Sequence, residues 1–192
     1  MRDKAKKMGC LCLKFMPCGH NGVPDRIFIG FGHTVFVELK APSQKPRANQ
    51  LAMHDTLRDK GVDVHVIDTT DAVDAFLEEM QATARLPSQP ADIPFAPSAK
   101  DSTRESVVES HLYDETKRLG GLCFKFTPCG VNGIPDRIVV MNGRIVFVEL
   151  KAPGEMPRPN QFAIHRKMRR AGAIVHVIDS KRGVDELLAS LS

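Results

Sequence analysis

The sequence predicts an α/β fold built twice, each half a small mixed β-sheet flanked by helices. Three observations predict it. Gly120 to Leu191 repeats Gly9 to Met80 without a gap, with roughly half of the aligned positions identical, the mark of an internal duplication. Within each copy, short alternating strands and helix-period segments succeed one another. Turn formers, including Asn142-Gly143, punctuate them at strand-length intervals.

The second copy carries the fuller pattern. Ser106 to Leu119 places Val107, Val108, His111, Leu112, Glu115 and Leu119 at helical spacing, and Gly120-Gly121 ends the run. Leu122 to Phe126 alternates as a strand. Thr127 to Gly133 is a loop rich in Gly, Pro and Asn. Asp136 to Met141 and Arg144 to Lys151 are strands joined by the two-residue turn at Asn142-Gly143. Pro153 to Pro159 is a further loop. Asn160 to Ala171 reads as a helix with Pro159 in its first turn and Gly172 past its end. Ala173 to Ile178 is a fourth strand and Gly183 to Leu191 a closing helix. In the first copy Met1 falls opposite Leu112, so most of the leading helix is expected to be missing there.

The units are residues 1–82 and 104–192. Residues 83–103, with Pro87, Pro90, Pro94 and Pro97 among Ser and Ala, form a semi-rigid extended linker. Units of about 70–90 residues are near the lower limit for an independent core, so the copies are expected to pack as an intramolecular pseudo-dimer, or the chain to form a homodimer.

A net charge of +4 permits a nucleic-acid partner without demanding one. No apolar run reaches the ~18 residues of a membrane span, so no membrane partner is expected. Met1 to Leu13 resembles a secretory signal, but nearly the same peptide recurs internally at Gly121 to Phe126, where it reads as a strand. A cytoplasmic location follows. Five cysteines without an export signal argue against a disulfide framework. Cys12 and Cys18 recur as Cys123 and Cys129, spaced more widely than zinc knuckles. Packing thiols are the expectation, and a shared zinc site the alternative.

The charged residues cluster in both copies. A type I′ turn at Asn142-Gly143 pairs Met141 with Arg144, and counting outward opposes Asp136 and Glu149. With Phe31-Gly32 at the turn, the same count opposes Asp25 and Glu38. Opposed residues lie about 4.5–5.5 Å apart at Cβ, where like charges destabilise a sheet. A divalent cation gives two such acids a reason to meet, and hard oxygen ligands suit Mg²⁺ or Mn²⁺. Lys151 and Lys40 emerge on the acids' face two residues on, where an ammonium can neutralise charge or orient water. The alternative is a surface hairpin with ordinary ion pairs.

Together, Glu109, the glycine-ended helix, Gly121 to Phe126, Gly133-Ile134-Pro135-Asp136-Arg137, Val146 to Pro153 and Gln161 closely resemble the VRR-NUC family, the virus-type replication-repair nucleases of the PD-(D/E)XK superfamily. The resemblance covers most of the second copy and the first without its leading helix. It implies tandem restriction-endonuclease-like domains and Mg²⁺- or Mn²⁺-dependent cleavage of DNA. On that pattern Asp136 and Glu149 bind metal with the Leu150 carbonyl, and Glu109 completes the acidic set. Lys151 serves the attacking water, and Gln161 supports the site. Asp25, Glu38, Leu39, Lys40 and Gln50 match in the first copy, where nothing matches Glu109, so full activity of that site is in doubt. The family further implies action on branched DNA in phage replication, recombination or repair, with two fused copies imitating a dimer. A half-degenerate or non-catalytic DNA-binding protein is the alternative.

Lys125, Lys14, Arg158, Arg166 and Lys167 are candidate phosphate contacts, with Arg169 and Arg170 in the same basic group. His165 and His54 share a helix face with the glutamines and read as packing or hydrogen-bonding residues. His65 and His176 read as structural.

Overall fold

The computed structural model describes residues 1–16, 19–126 and 131–192. It contains two four-stranded mixed sheets of one topology, ordered β1-β2-β3-β4 and β5-β6-β7-β8. In the first, β1 (Leu11–Lys14), β2 (Arg26–Gly30) and β3 (His33–Leu39) run antiparallel. The crossover helix α2 (Ala48–Asp59) then brings β4 (Val64–Ile67) parallel to β3. The second sheet repeats this with β5 (Leu122–Lys125), β6 (Arg137–Met141), β7 (Arg144–Leu150), α5 (Pro159–Ala171) and β8 (Ile174–Ile178). A parallel neighbour demands such a crossover, and the helix supplies it.

The hairpin turns have the expected chemistry. Phe31 and Gly32 lie at φ 55° and 79°, and Asn142 and Gly143 at 48° and 74°; both central residues are left-handed, as a type I′ turn requires. The resulting register pairs Gly30 with His33 and Arg26 with Val37, and Met141 with Arg144 and Arg137 with Val148. The next pair outward in each hairpin is the two acids. Here β7 stops at Leu150, a residue short of the predicted end, because the Leu150 N–H donates to the Asp136 carboxylate at 3.0 Å.

The helices outside the sheets differ in length. Helix α4 (Glu105–Arg118) has 14 residues and packs with α6 (Lys181–Leu191) on the second sheet. Its counterpart α1 (Arg2–Lys7) has 6 and accompanies α3 (Thr70–Ala82) on the first. Helix α6 begins earlier than predicted because the Ser180 hydroxyl caps it, accepting from the Gly183 N–H at 3.2 Å. At the end of α5, Gly172 takes the left-handed cap conformation expected of it.

Strand alternation divides the apolar residues into two outer layers and one shared layer. Phe28, Val35 and Val37 face α1 and α3, while Val139, Val146 and Val148 face α4 and α6. Between the sheets, Leu13, Phe15, Ile27, Ile29 and Phe36 join Phe124, Phe126, Ile138, Val140 and Phe147 in one cluster that includes residues of α2 and α5. Two units near the lower size limit thus gain a common core. Cys12 and Cys123 lie in the two outer layers, so they cannot share a metal; Cys18 and Cys129, like residues 127–130 of the predicted loop, fall outside the described residues. Burial pushes the Cys123 thiol up to about 11, leaving a neutral packing group.

The halves meet reciprocally. The Gly32 N–H donates to the Ala171 carbonyl at 3.2 Å, and at the corresponding positions the Gly143 N–H donates to the Lys60 carbonyl at 2.7 Å. Phe15 meets its own counterpart Phe126 edge-on, centroids 5.4 Å apart. Corresponding residues touching one another is the signature of an approximate two-fold axis. The segment after α3 carries no helix or strand and bonds to both halves. Arg85 N–H donates to the Phe31 carbonyl at 2.8 Å, Gln89 accepts from the Val175 N–H on β8 at 2.8 Å, and Ser98 bonds Asp179 through its N–H and hydroxyl. Among the described residues no helix is long and apolar enough to cross a membrane.

A Cβ on Gly172 would stand 2.3 Å from Gly32 Cα, backbone against backbone across the axis, whereas one on Gly120 meets nothing within 4 Å. Both glycines are left-handed. Gly120→Ala should therefore cost about 1–2 kcal/mol in a urea melt, and Gly172→Ala more than about 3 kcal/mol. Equal costs would contradict the reciprocal packing.

Candidate active site

Each hairpin brings its two acids to the open end of the sheet, beside the N-terminus of the crossover helix. In the second half Glu149 is completely buried. Its Oε1 accepts from Lys151 Nζ and from Gln161 Nε2. Gln161 is fixed in turn: its Oε1 accepts from the Arg158 N–H at 2.8 Å, closing the first turn of α5. Lys151 Nζ also donates to the Leu150 carbonyl at 2.8 Å. The structure thus brings Asp136, Glu149, Leu150, Lys151 and Gln161 to one place. The first half does the same with Asp25, Glu38, Leu39, Lys40 and Gln50. Leu39 N–H donates to Asp25 at 3.0 Å, Lys40 Nζ lies 2.7 Å from Glu38 and donates to Gln50 Oε1 at 2.7 Å, and Gln50 Nε2 donates to Glu38.

Electrostatics marks the same residues. Burial pushes the Asp136 carboxyl above the usual carboxylate range, and the neighbouring Glu149 charge adds to the rise, against the Leu150 N–H bond and Lys151. Asp25 is raised likewise, chiefly by burial, with Glu38 adding to it and the Leu39 N–H opposing. Burial beside a second acid is the kind of environment in which functional sites shift carboxyl pKa values.

Glu109 stands apart from this set. Its Oε1 accepts from Arg137 Nε at 2.9 Å and lies 2.7 Å from the other guanidinium nitrogen, with Lys125 Nζ 3.9 Å away. Among the described residues no three His, Cys, Asp or Glu side chains converge on one point. Sequence reasoning missed Glu105, one helical turn before Glu109 on α4. Burial raises its carboxyl, and its charged surroundings are Lys151, Asp136 and Glu149 of the candidate site together with Glu109. The i, i+4 spacing of the two glutamates was the available signal.

The halves differ beyond this. Arg137 has Glu109, whereas Arg26 Nε is buried without a hydrogen-bond partner among the described residues and lies 3.8 Å from Asp25. Glu38 Oε2 accepts from the Asp25 N–H at 3.2 Å, while Glu149 Oε2 has no hydrogen-bond partner among the described residues.

Among the candidate phosphate contacts, Lys14, Lys125, Arg158 and Lys167 are exposed. Arg166 is exposed but lies 3.6 Å from Asp92 of the segment after α3. Arg169 leaves the basic group: it is buried and donates to the Val175 carbonyl at 3.1 and 2.8 Å, tying α5 to β8. His65 packs on Phe76, and His176 bonds Gln89.

The donor set fits a hard divalent cation. Asp136 and Glu149 supply carboxylate oxygens, one of them buried without a hydrogen-bond donor, and the Leu150 carbonyl lies beside them. Mg²⁺ is commonly held by one or two carboxylates and keeps several waters, so a third acid is not required.

Kinship agrees with the site. No family profile matches the chain. Over 79 residues, 41% of this chain and 85% of the relative, it is 46% identical to a protein named "Putative nuclease p44" from Acyrthosiphon pisum secondary endosymbiont phage 1. A solved chain named "VRR_NUC domain" is 34% identical over 47% of this chain and 100% of its own length, with a TM-score of 0.44. Identity at this level across a relative's length makes the chain a member of a nuclease lineage. It belongs to the family of that phage protein.

The raised Asp136 pKa makes a testable statement about stability. A folded-state pKa above the unfolded value means the folded chain holds the proton more tightly. Stability is then greatest below the unfolded pKa and declines as pH rises through the folded one. Asp136→Asn, which keeps an acceptor for the Leu150 N–H, should raise the Tm at pH 7. That gain should vanish as the buffer is taken below the ordinary carboxylate range. A lower Tm at pH 7 would refute it.

Proposed function

We propose that the protein is a Mg²⁺- or Mn²⁺-dependent endodeoxyribonuclease that hydrolyses phosphodiester bonds of branched DNA in phage replication, recombination or repair. The observation that carries this reading is the opposed pair Asp136 and Glu149, with Lys151 beside them at one sheet end, repeated as Asp25, Glu38 and Lys40.

Asp136, Glu149 and the Leu150 carbonyl would hold the cation. When bound, the cation acidifies a water and offsets the charge that develops on the phosphoryl oxygens. Lys151 neutralises Glu149 in the resting site, and its ammonium sits where it can orient the attacking water. Gln161 keeps Glu149 in one rotamer by bonding it and the turn of α5 at once. Glu109 and Glu105 add negative charge on the α4 side, and Glu109 holds Arg137 in place. Lys14, Lys125, Arg158 and Lys167 are available to position backbone phosphates, a sequence-independent contact. The approximate two-fold relation of the halves would suit paired cuts on either side of a DNA branch.

A second reading has its own support: the first site is a degenerate half that binds DNA without cutting. Arg26 has no partner equivalent to Glu109 among the described residues, and Glu38 Oε2 is occupied by the Asp25 amide.

Cleavage of labelled linear, flapped and four-way DNA, with Mg²⁺, Mn²⁺ or EDTA, tests both. The wild type should cut the branched substrates only with metal. Asp136→Ala should lower the rate by at least ~10³-fold, and Asp25→Ala by less than ~10-fold if the first site contributes little. DNA binding with no metal-dependent product would overturn the enzymatic reading, and equal losses would overturn the inequality of the two sites.

A further inference from the structure

Helix α5 carries a histidine that the proposed chemistry leaves unused. His165 is completely buried, four residues after Gln161 and so on the same helix face. Among the described residues neither ring nitrogen has a hydrogen-bond partner, and neither does Oε2 of the equally buried Glu149. His165 Nε2 and Glu149 Oε2 face each other at 3.6 Å. That is longer than a hydrogen bond, yet too short for a water between them, which would need about 5.5 Å for two bonds in series. Buried polar groups with no partner are costly to the fold, and a small rotation of the imidazole satisfies both atoms at once.

We propose that His165 is a positioning residue that holds Glu149 Oε2 through an Nε2–H donor and so fixes the oxygen left for a cation. The inference rests on the metal-dependent reading of the site. Glu149 Oε1 already accepts two donors, from Lys151 and Gln161, which fills its two lone pairs. Oε2, with one lone pair given to His165, keeps the other free. A carboxylate gripped at both oxygens presents that lone pair in one direction, as outer groups do for ligating side chains elsewhere. The Nε2–H tautomer leaves Nδ1 as a bare acceptor.

His54 stands at the same place on α2, also completely buried and with both nitrogens unbonded among the described residues. There the counterpart oxygen Glu38 Oε2 already accepts from the Asp25 N–H. The histidine therefore matters more in the second site than in the first.

The test uses the full chain carrying Asp25→Asn, so that the second site is read alone, and follows Mn²⁺ binding by the electron spin resonance of the free ion. His165→Leu should weaken Mn²⁺ binding by about 10–100-fold. His165→Gln, whose amide nitrogen reaches the same point, should restore it to within about threefold of the parent. Unchanged affinity in the Leu variant, or Gln as weak as Leu, would overturn the proposal. A melt in EDTA separates this from the metal question. His165→Leu should lower the Tm when Glu149 is present and cost nothing when Glu149 is already Met, a coupling that a packing role would not produce. Equal Tm losses in both backgrounds would also overturn it. A parent that binds no Mn²⁺ yet shows the coupling would overturn the metal reading and leave the histidine–glutamate contact standing.

Discussion

Glu149 has no exposed surface, and a carboxylate so placed needs opposite charge and hydrogen-bond donors close by. Lys151 and Gln161 take one oxygen, from a strand end and from the first turn of a helix. Asp136 stands opposite because the type I′ turn fixes the register, and its own carboxylate ends the β-ladder by taking the Leu150 N–H. The crossover helix is tied to the same point through the Arg158 N–H and Gln161. Strand, turn and helix thus converge on one buried charge. What they build is a buried acid pair in which burial and the Glu149 charge hold Asp136 above the usual carboxylate range.

The duplication solves a size problem and a geometry problem together. Neither half has many residues, yet their inner sheet faces share one aromatic cluster, with Phe15 against Phe126 near its centre. The backbone contacts of Gly32 with Ala171 and of Gly143 with Lys60 join the halves, and at this seam a Cβ on Gly172 would collide with Gly32. Both acid pairs lie at the strand ends remote from these turns, so the joint that unites the halves leaves the candidate sites clear of it.

Much of this was legible in the sequence because it depends on short-range rules. Asn142-Gly143 specifies the turn, the turn specifies the register, and the register opposes the acids. Pro159 and Gly172 bracket α5 for equally local reasons. What escaped was set by three-dimensional neighbours. Nothing in the spacing says that Arg137 captures Glu109, or that Arg169 turns inward to a β8 carbonyl while Arg170 stays exposed. Glu105 was overlooked because it sits at a helix start, where an acid has an ordinary explanation. The Pro-rich segment carries no helix or strand, and its attachment to β8 through Gln89 depends on a strand edge far along the chain.

Covalent fusion also changes what a single substitution can do. In a symmetric homodimer every mutation is made twice, so both copies of a site drift together, each centre bound to the other. Here each centre is written separately, and Arg26 and Arg137 already sit in different company. The two halves are free to specialise, one retaining chemistry while the other trades it for grip on the substrate, provided that the glycines at the seam stay as they are.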